Sequence, residues 1–319
     1  MIKVSVLIPT FRRPDAFIRA ARSVFRQQSV EGVELVGIDN SPEGSALEAF
    51  RALDGESPIP FRWAHAPKPG VAQARNVALA LARGELIAWL DDDEEASPRW
   101  LAALIAVRKQ TGAQSVFGPV RAEAPANAED AVFFEDLYSR RGPHHSGPCA
   151  RAYGIGNSLQ PRAMFDQAIA FDPRADQTGG EDDALFAAWA EAGATFAWAA
   201  DAIVVEHLGP ERMRVAHGLK RAFAYGQGPC ETAWSTRKYG DLARHMSVGA
   251  AQAVLFGAAS ALIAGASRPH ALAMLDQAAR GAGKVLWFFE QRFYGEALLV
   301  QPARRSRRSI AITGASAPV

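Results

Sequence analysis

Cysteine is nearly missing from this chain: Cys149 and Cys230 are the only two in 319 residues. They stand far apart in no metal-ligand spacing, which excludes a disulfide framework and points to free thiols in a reducing compartment. Excess charge of one sign is missing too. With 35 Lys and Arg against 34 Asp and Glu the formal net charge is +1, so no global field recruits nucleic acid. The opening Met1-Ile-Lys-Val lacks the basic, apolar and small-residue sections of a secretory leader, and a cytoplasmic location is expected. No glycine fingerprint follows the first apolar run, which argues against a dinucleotide-dependent dehydrogenase. There is no internal repeat and no extended low-complexity tract. What remains is the composition of an ordinary globular enzyme, 49% hydrophobic and 22% charged, with room for one large or two small domains.

The most informative segment that is present is Asp91-Asp92-Asp93-Glu94-Glu95, directly after the apolar run Glu85-Leu-Ile-Ala-Trp-Leu90. Carboxylates at the end of a buried strand are costly to desolvate unless paired. A cation, or solvent at the mouth of a cleft, explains them. Alternation along an extended chain puts Asp91 and Asp93 on one side and Asp92 on the other, a spacing that suits Mg²⁺ or Mn²⁺ holding a diphosphate. A solvated acidic turn capping a helix from Ser97-Pro98 is the plainer alternative.

Strand and helix signals alternate through the first hundred residues. Val4 to Pro9 reads as a strand buried on both faces and stopped by Pro9. A helix is expected from Ala16 to Gln27 and a strand from Glu34 to Ile38, ending at the turn cluster Asp39-Asn40-Ser41-Pro42. A third strand fits Phe61 to His65, and a helix Val71 to Ala82 with Gly84 as its stop. This order predicts a mostly parallel sheet with helices on both faces. Its ligand edge lies beyond the strand ends, where Pro9, Thr10, Asp39 and Asp91 fall. Further on, the sequence predicts a strand from Ser115 to Val120, a helix from Ala131 to Arg140, a loop from Gly142 to Arg151, a helix from Glu181 to Ala192 and a strand within Thr195 to Glu206. Glu181 and Asp182 sit in the first turn of their helix, where capping alone would favour acids.

The last hundred residues change character. Val248 to Ala266 carries no charge, long enough to just span a bilayer, yet rich enough in Ala and Gly for a packed helical hairpin. The aromatic segment Val285 to Phe289 lies between Lys284 and Arg292, and Arg304, Arg305, Arg307 and Arg308 form a basic tail. Aromatics flanked by cations suit an interfacial helix on an anionic leaflet.

Several motifs recur in a set order: Val-Leu-Ile-Pro-Thr-Phe-Arg-Arg (6 to 13), Gly-Ile-Asp-Asn-Ser (37 to 41), Gly-Val-Ala-Gln-Ala-Arg-Asn (70 to 76), Trp-Leu-Asp-Asp-Asp-Glu (89 to 94), Gly-Ile-Gly-Asn-Ser (154 to 158) and Gly-Gly-Glu-Asp-Asp-Ala-Leu-Phe (179 to 186). Together they make residues 3 to 210 resemble a family 2 glycosyltransferase of the GT-A nucleotide-diphospho-sugar transferase fold, nearest to bacterial exopolysaccharide enzymes of the succinoglycan type. The resemblance implies a catalytic domain over 1–225, with a nucleotide-binding half to about 110 and an acceptor half from 111; composition then suggests a helical region over 226–300 that spans, lies on or avoids a membrane, and a basic flexible tail over 301–319. It implies a nucleotide site at Pro9, Thr10, Arg12, Asp39, Arg75, Asn76, Asp91 and Asp92, with Asp39 accepting from uracil. Asp93, with Asp91 and His207, would hold Mn²⁺ or Mg²⁺. Asp182 is implied as general base with Glu181 orienting the acceptor. The family's further acid two residues on is Ala184 here, so Asp183 is a rival base. The implied activity is inverting, metal-dependent transfer of a hexose such as glucose from a UDP-sugar to a saccharide acceptor, undecaprenyl-diphosphate-linked if the carboxyl-terminal region meets the inner face of the cytoplasmic membrane. Arg212, Arg214, Lys220 and Arg221 would meet diphosphate or form a solvated helix face. A nucleotidyltransferase would need a Lys- or Arg-bearing glycine loop after the first strand, and a silent sugar-nucleotide-binding scaffold would not need Asp182.

Overall fold

The computed structural model describes residues 2–166, 170–176 and 179–289. Strand β1 (Val4–Thr10) leads through α1 (Pro14–Phe25) to β2 (Val33–Asp39), α2 (Leu47–Glu56), β3 (Phe61–His65), α3 (Val71–Leu81) and β4 (Leu86–Trp89). Next come β5 (Glu94–Ala96), α4 (Trp100–Thr111), β6 (Ser115–Phe117), β7 (Val120–Glu123), α5 (Ala131–Tyr138), β8 (Gly147–Cys149) and β9 (Ser158–Pro161). The chain continues through α6 (Glu181–Glu191), β10 (Phe196–Trp198), β11 (Val204–His207), α7 (Val215–Ser235), α8 (Tyr239–Ile263) and α9 (Arg268–Val285).

Eight strands form one mixed sheet in the order β3-β2-β1-β4-β9-β6-β10-β8, and β5-β11-β7 form a second. β3, β2, β1 and β4 run parallel, and β9 enters antiparallel between β4 and β6. Pleating divides the core. Val4, Val6 and Ile8 face α1, α2 and α4 through Phe17, Phe50, Trp100 and Leu104, while Leu7, Val36 and Ile38 face α3 and α6 through Ala78, Phe186 and Trp189. Each fully buried large side chain contributes roughly 1.5–3 kcal/mol of transfer free energy. The expected sheet, buried on both faces, is therefore present.

Several local expectations are corrected. Pro9 does not stop β1, which runs on to Thr10 beside β2. What ends there is pairing with β4, at Leu7, since Pro9 has no N–H to extend it. Gly84 does not stop α3 in a left-handed cap. A Cβ on it would lie 2.5 Å from the Ser5 backbone nitrogen, so glycine serves the close approach of that turn to β1. The single strands expected over 115–120 and 195–206 are each two, divided between the sheets. Gly118 and Pro119 make the first break, and the turn after Trp198 makes the second. The loop expected over 142–151 includes β8, which pairs with β10.

The boundary expected at 225/226 falls inside α7, a continuous helix. α7, α8 and α9 pack together, and Leu272 of α9 joins Phe133 and Phe134 of α5 in a satellite core. The tail arginines and Arg292 lie outside the described residues.

Candidate active site

The acidic run leaves β4 in a turn over Asp91 to Asp93 before β5 begins at Glu94: β4 ends at Trp89, and the Glu94 N–H donates to the Asp91 carbonyl at 3.1 Å. The expected alternation therefore fails. Asp92 and Asp93 share one partner, Arg13, whose Nη1 donates to Asp92 Oδ1 at 3.2 Å and to Asp93 Oδ2 at 2.7 Å. Thr10 Oγ1 donates to Asp92 Oδ2 at 2.6 Å, so the end of β1 anchors the turn. Asp91 points elsewhere, to the Gly154–Asn157 loop, where a Cβ on Gly156 would lie 2.5 Å from its Oδ2.

β11 supplies residues that the sequence did not disclose. Its antiparallel register with β5 sets Glu206 opposite Glu94 and Val205 opposite Glu95, so Glu94 and Glu206 share one face of the small sheet and His207 falls on the other. Glu206 pairs with Arg212, whose Nη1 also lies 3.2 Å from Asp93 Oδ2. The His207 ring lies instead against Glu95, 3.3 Å from Oε2. His207 nonetheless adjoins Asp93 through the backbone, its N–H donating to the Asp93 carbonyl at 3.0 Å, while the Asp93 carboxylate meets Arg13 and Arg212.

Charge in this cluster is unbalanced toward the acids. Burial, against the pull of Arg75, holds the Asp91 carboxyl above its ordinary range. Burial likewise pushes Asp92 up to about 6 despite Arg13, and Glu206 to about 7 despite Arg212. Glu94 is raised well above the usual value by burial and then by Asp91. At Asp93 burial works upward too, but Arg212 and Arg13 outweigh it and hold the group ionised to lower pH. Carboxyls that stay raised despite Arg13, Arg75, Arg140 and Arg212 are relieved by further positive charge. Oxygen-only donors match Mg²⁺ or Mn²⁺. The residues therefore fit a divalent ion in charge and donor type, although among the described residues no three Asp, Glu, His or Cys side chains are gathered in metal-binding geometry.

Across the Gly154–Asn157 loop lies α6. Asp182 Oδ2 accepts the Ile155 N–H at 3.0 Å, and Arg140 donates to the Gly156 carbonyl. Asp91 and Asp182 thus both reach the same four-residue loop. The loop is itself fixed: buried Asn157, at φ 51°, donates to the Pro119 and Ala202 carbonyls at 2.8 Å and accepts from Trp100 Nε1 at 2.7 Å. Buried Glu181 pairs with Arg75, and burial raises its carboxyl against that partner. Asp183 is exposed, its carboxyl pushed up to about 6 by desolvation and by Asp182.

The nucleotide-side residues are placed as follows. Asp39 is fully buried, and its oxygens accept from Ser41 N at 2.9 Å, Ser41 Oγ at 2.7 Å and Ala46 N at 2.6 Å. These bonds fix its carboxylate at the end of β2. Arg12, at φ 56°, pairs with Glu43 at 2.6 Å, and Pro9 is half-buried beside it. Asn76 exchanges hydrogen bonds with the Phe171 backbone, donating at 2.8 Å and accepting at 3.0 Å. With Arg75 on Glu181, the 75–76 pair holds Phe171 and Glu181. Asp176, unforeseen from sequence, accepts from Ala72 N at 2.8 Å and Gln73 N at 3.2 Å at the α3 N-terminus. A groove of about 400 Å³ at the opposite end of β1, β2 and β3 is lined by Ile2, Val24, Phe25, Val33 and Ile59 and offers no comparable chemistry.

Comparison with known proteins gives concordant matches. The profile of "Glycosyl transferase family 2" matches residues 5–169. The chain is 30% identical over 228 residues to the succinoglycan biosynthesis protein ExoM of Rhizobium meliloti (strain 1021), covering 71% of this chain and 74% of that protein. It is 30% identical over 107 residues to the putative colanic acid biosynthesis glycosyl transferase WcaA of Escherichia coli (strain K12), 34% of this chain and 38% of the relative. Among solved structures, S. aureus TarS 1–349 superposes with a TM-score of 0.51 at 16% identity, covering 89% of this chain and 90% of that one. GalNAc-T7 with UDP, GalNAc and Mn²⁺ gives 0.53 at 15% identity, covering 73% and 51%. These two likenesses concern the fold alone.

Proposed function

Since the chain belongs to glycosyl transferase family 2 and has the GT-A fold, we propose that it transfers a hexose, such as glucose, from a UDP-sugar to a saccharide acceptor with inversion at the anomeric carbon. The observation that carries this reading is the Gly154–Asn157 loop, which has the Asp91 carboxylate on one side and the Asp182 carboxylate against its Ile155 N–H. Donor diphosphate and acceptor hydroxyl then meet over one short stretch of backbone.

In this scheme the nucleoside lies along the ends of β1 and β2, at Pro9 and Thr10, with Asp39 shaping the wall behind. Asp91 and Asp92 face the ribose and the diphosphate, and Asp93 with Asp91 would hold the divalent ion. A bound Mg²⁺ or Mn²⁺ would supply Lewis-acid relief of charge on the departing nucleoside diphosphate. Asp182 takes the proton of the acceptor hydroxyl. The resulting oxygen forms its bond to the anomeric carbon from the face opposite the leaving group, whose carbon–oxygen bond breaks with the electron pair going to UDP. Displacement from one side inverts the centre, so an α-linked donor yields a β-glycoside. Glu181, fixed by Arg75, positions the first turn of α6. The choice of UDP and of a divalent ion follows the likeness to GalNAc-T7, solved with UDP and Mn²⁺, and exopolysaccharide synthesis follows the likeness to the succinoglycan protein.

The proposed acceptor is a growing saccharide carried on a lipid diphosphate at the cytoplasmic membrane face. α8 supports this: it is long and apolar enough to cross a membrane by length and composition, yet only 11% of its apolar stretch is buried. Val254, Leu255 and Leu262 are 69%, 67% and 84% exposed. At its start the rings of Tyr239, Trp234, Trp287, Phe288 and Phe289 touch in that order beside exposed Arg237 and Lys238, a composition suited to the headgroup region. A panel of sugar nucleotides with Mn²⁺ or Mg²⁺, read as nucleoside diphosphate release with and without lipid-linked saccharides, tests the reading. Release from a UDP-hexose that depends on acceptor is expected. Tight binding without release from any donor would make the protein a sugar-nucleotide-binding scaffold instead.

A further inference from the structure

One half-buried cation at the Gly154–Asn157 loop has no part in the scheme above. Arg140 follows α5, and its backbone is tied to Val120 at the start of β7: the Arg140 N–H donates to the Val120 carbonyl at 2.8 Å, and the Val120 N–H donates back at 3.2 Å. Its Nη1 donates to the Gly156 carbonyl. Backbone and side chain therefore fix the guanidinium from two directions. Its charge is felt at the acidic turn, where burial raises the Asp91 and Glu94 carboxyls and Arg140, after Arg75 at Asp91, pulls them back.

Over Gly154 the same guanidinium and the Asp182 carboxylate border a notch. A Cβ on Gly154 would lie 3.3 Å from Arg140 Nη2 and 3.5 Å from Asp182 Oδ2, so under about 7 Å separates the two groups. They form no ion pair. Among the described residues Asp182 Oδ2 accepts the Ile155 N–H alone, and Nε and Nη2 of Arg140 have no hydrogen-bond partner. Gly154, at φ 89°, adopts the left-handed conformation and carries no side chain to fill the gap. An oxygen hydrogen-bonded to a guanidinium N–H on one side and to a carboxylate on the other needs about 5–6 Å between them. The notch therefore admits one hydroxyl.

We propose that Arg140 is a catalytic residue whose Nη2 donates to the attacking acceptor oxygen over Gly154 while Asp182 receives that oxygen's proton. The O–H bond breaks and leaves its electron pair on the oxygen, an oxygen pair forms the bond to the anomeric carbon, and the pair of the breaking carbon–oxygen bond departs with UDP. Negative charge grows on the oxygen before the new bond is complete. A guanidinium already fixed beside it stabilises that charge with no reorganisation at the moment of reaction. This rests on the glycosyl-transfer reading and gives Asp182 its partner at the reacting oxygen.

Initial rates of UDP release by the full chain, with Mg²⁺, lipid-linked saccharides and the UDP-hexose that the donor panel selects, test the role beside calorimetric UDP affinity. Arg140→Ala is expected to lower acceptor-dependent release by about 10²-fold. Added methylguanidinium should raise that variant's rate about tenfold, and uncharged N-methylurea should not. Arg140→Lys keeps the charge but loses the fork, and should be slowed about tenfold; it decides the matter if the melting temperature shows Arg140→Ala unfolded. UDP affinity and the KM for the UDP-hexose should stay within about threefold of wild type in both variants. Release within about threefold of wild type in the folded variants overturns the proposal. A loss that methylguanidinium does not relieve overturns it too, leaving Arg140 as an anchor of the Gly156 carbonyl, as does a donor KM that rises in step with the loss, which puts the group on the donor. The glycosyl-transfer reading fails by a different sign, the lack of nucleoside diphosphate release by the wild-type chain.

Discussion

At the scale of single residues the account turns on which acid of α6 removes the acceptor proton. Asp182 faces the Gly154–Asn157 loop, whereas Asp183 is exposed and its carboxyl lies near pH 6. Asp182→Asn is expected to lower turnover by about 10²–10⁴-fold with nucleotide affinity retained. Asp183→Asn should stay within about tenfold of wild type and leave the pH–rate profile in place. Were Asp183 the base, protonation would remove it as pH falls through about 6, and its replacement by Asn would abolish that acid limb. The Glu-Asp pair and the acidic run were legible in the sequence as residue types in order. Their partners were not. Arg13 reaches Asp93 from the turn between β1 and α1, whereas Arg212, bridging Asp93 and Glu206, arrives only because β11 pairs beside β5, a contact 112 residues apart at His207 and Glu95 that no local pattern encodes. The turn-rich Asp39-Asn40-Ser41 reads equally as a ligand edge or as a self-satisfied loop, and that its carboxylate accepts from Ser41 and Ala46 is visible only in the structure.

Elements were easier to read than their edges. The periodic helices α1, α3 and α6 and the strands β1 to β4 stand within about two residues of expectation; in β1, β2 and β4 burial on both faces leaves a dense apolar signal. β9 was not foreseen, although it lies at the centre of the sheet. Its sequence Ser-Leu-Gln-Pro carries Gln160, fully buried, and gives neither period. The strands at 115–123 and 196–207 merged because the breaks between them, Gly118-Pro119 and the short turn after Trp198, are brief. Gly84 marks what such turns require: Gly84→Ala places a methyl group against the β1 backbone at 2.5 Å. It should destabilise the protein by roughly 1–3 kcal/mol, seen as a lower denaturation midpoint. An unchanged midpoint would mean that the turn can move away from β1, contrary to the packing described.

For the whole molecule, the family resemblance covered the catalytic sheet, but composition alone could not say how the uncharged stretch after residue 247 is used. Packing gives that stretch only one covered side. The full chain should float with anionic vesicles, and Leu255→Glu, at a site 67% exposed, should reduce flotation severalfold without lowering the melting temperature. Recovery wholly in the soluble fraction would sink membrane docking and leave glycosyl transfer standing. The central claim joins the two ends of the catalytic domain: acids of the β4–β5 turn hold the donor diphosphate while Asp182 faces the sugar's anomeric carbon. A crystal structure with UDP-sugar and Mn²⁺ tests it most directly. The account predicts an anomalous peak bound to Asp93 and to the diphosphate, with the Asp182 carboxylate on the side of the sugar opposite the leaving oxygen. A metal bound away from Asp93, or a sugar on the far side of the Gly154–Asn157 loop from Asp182, would contradict it.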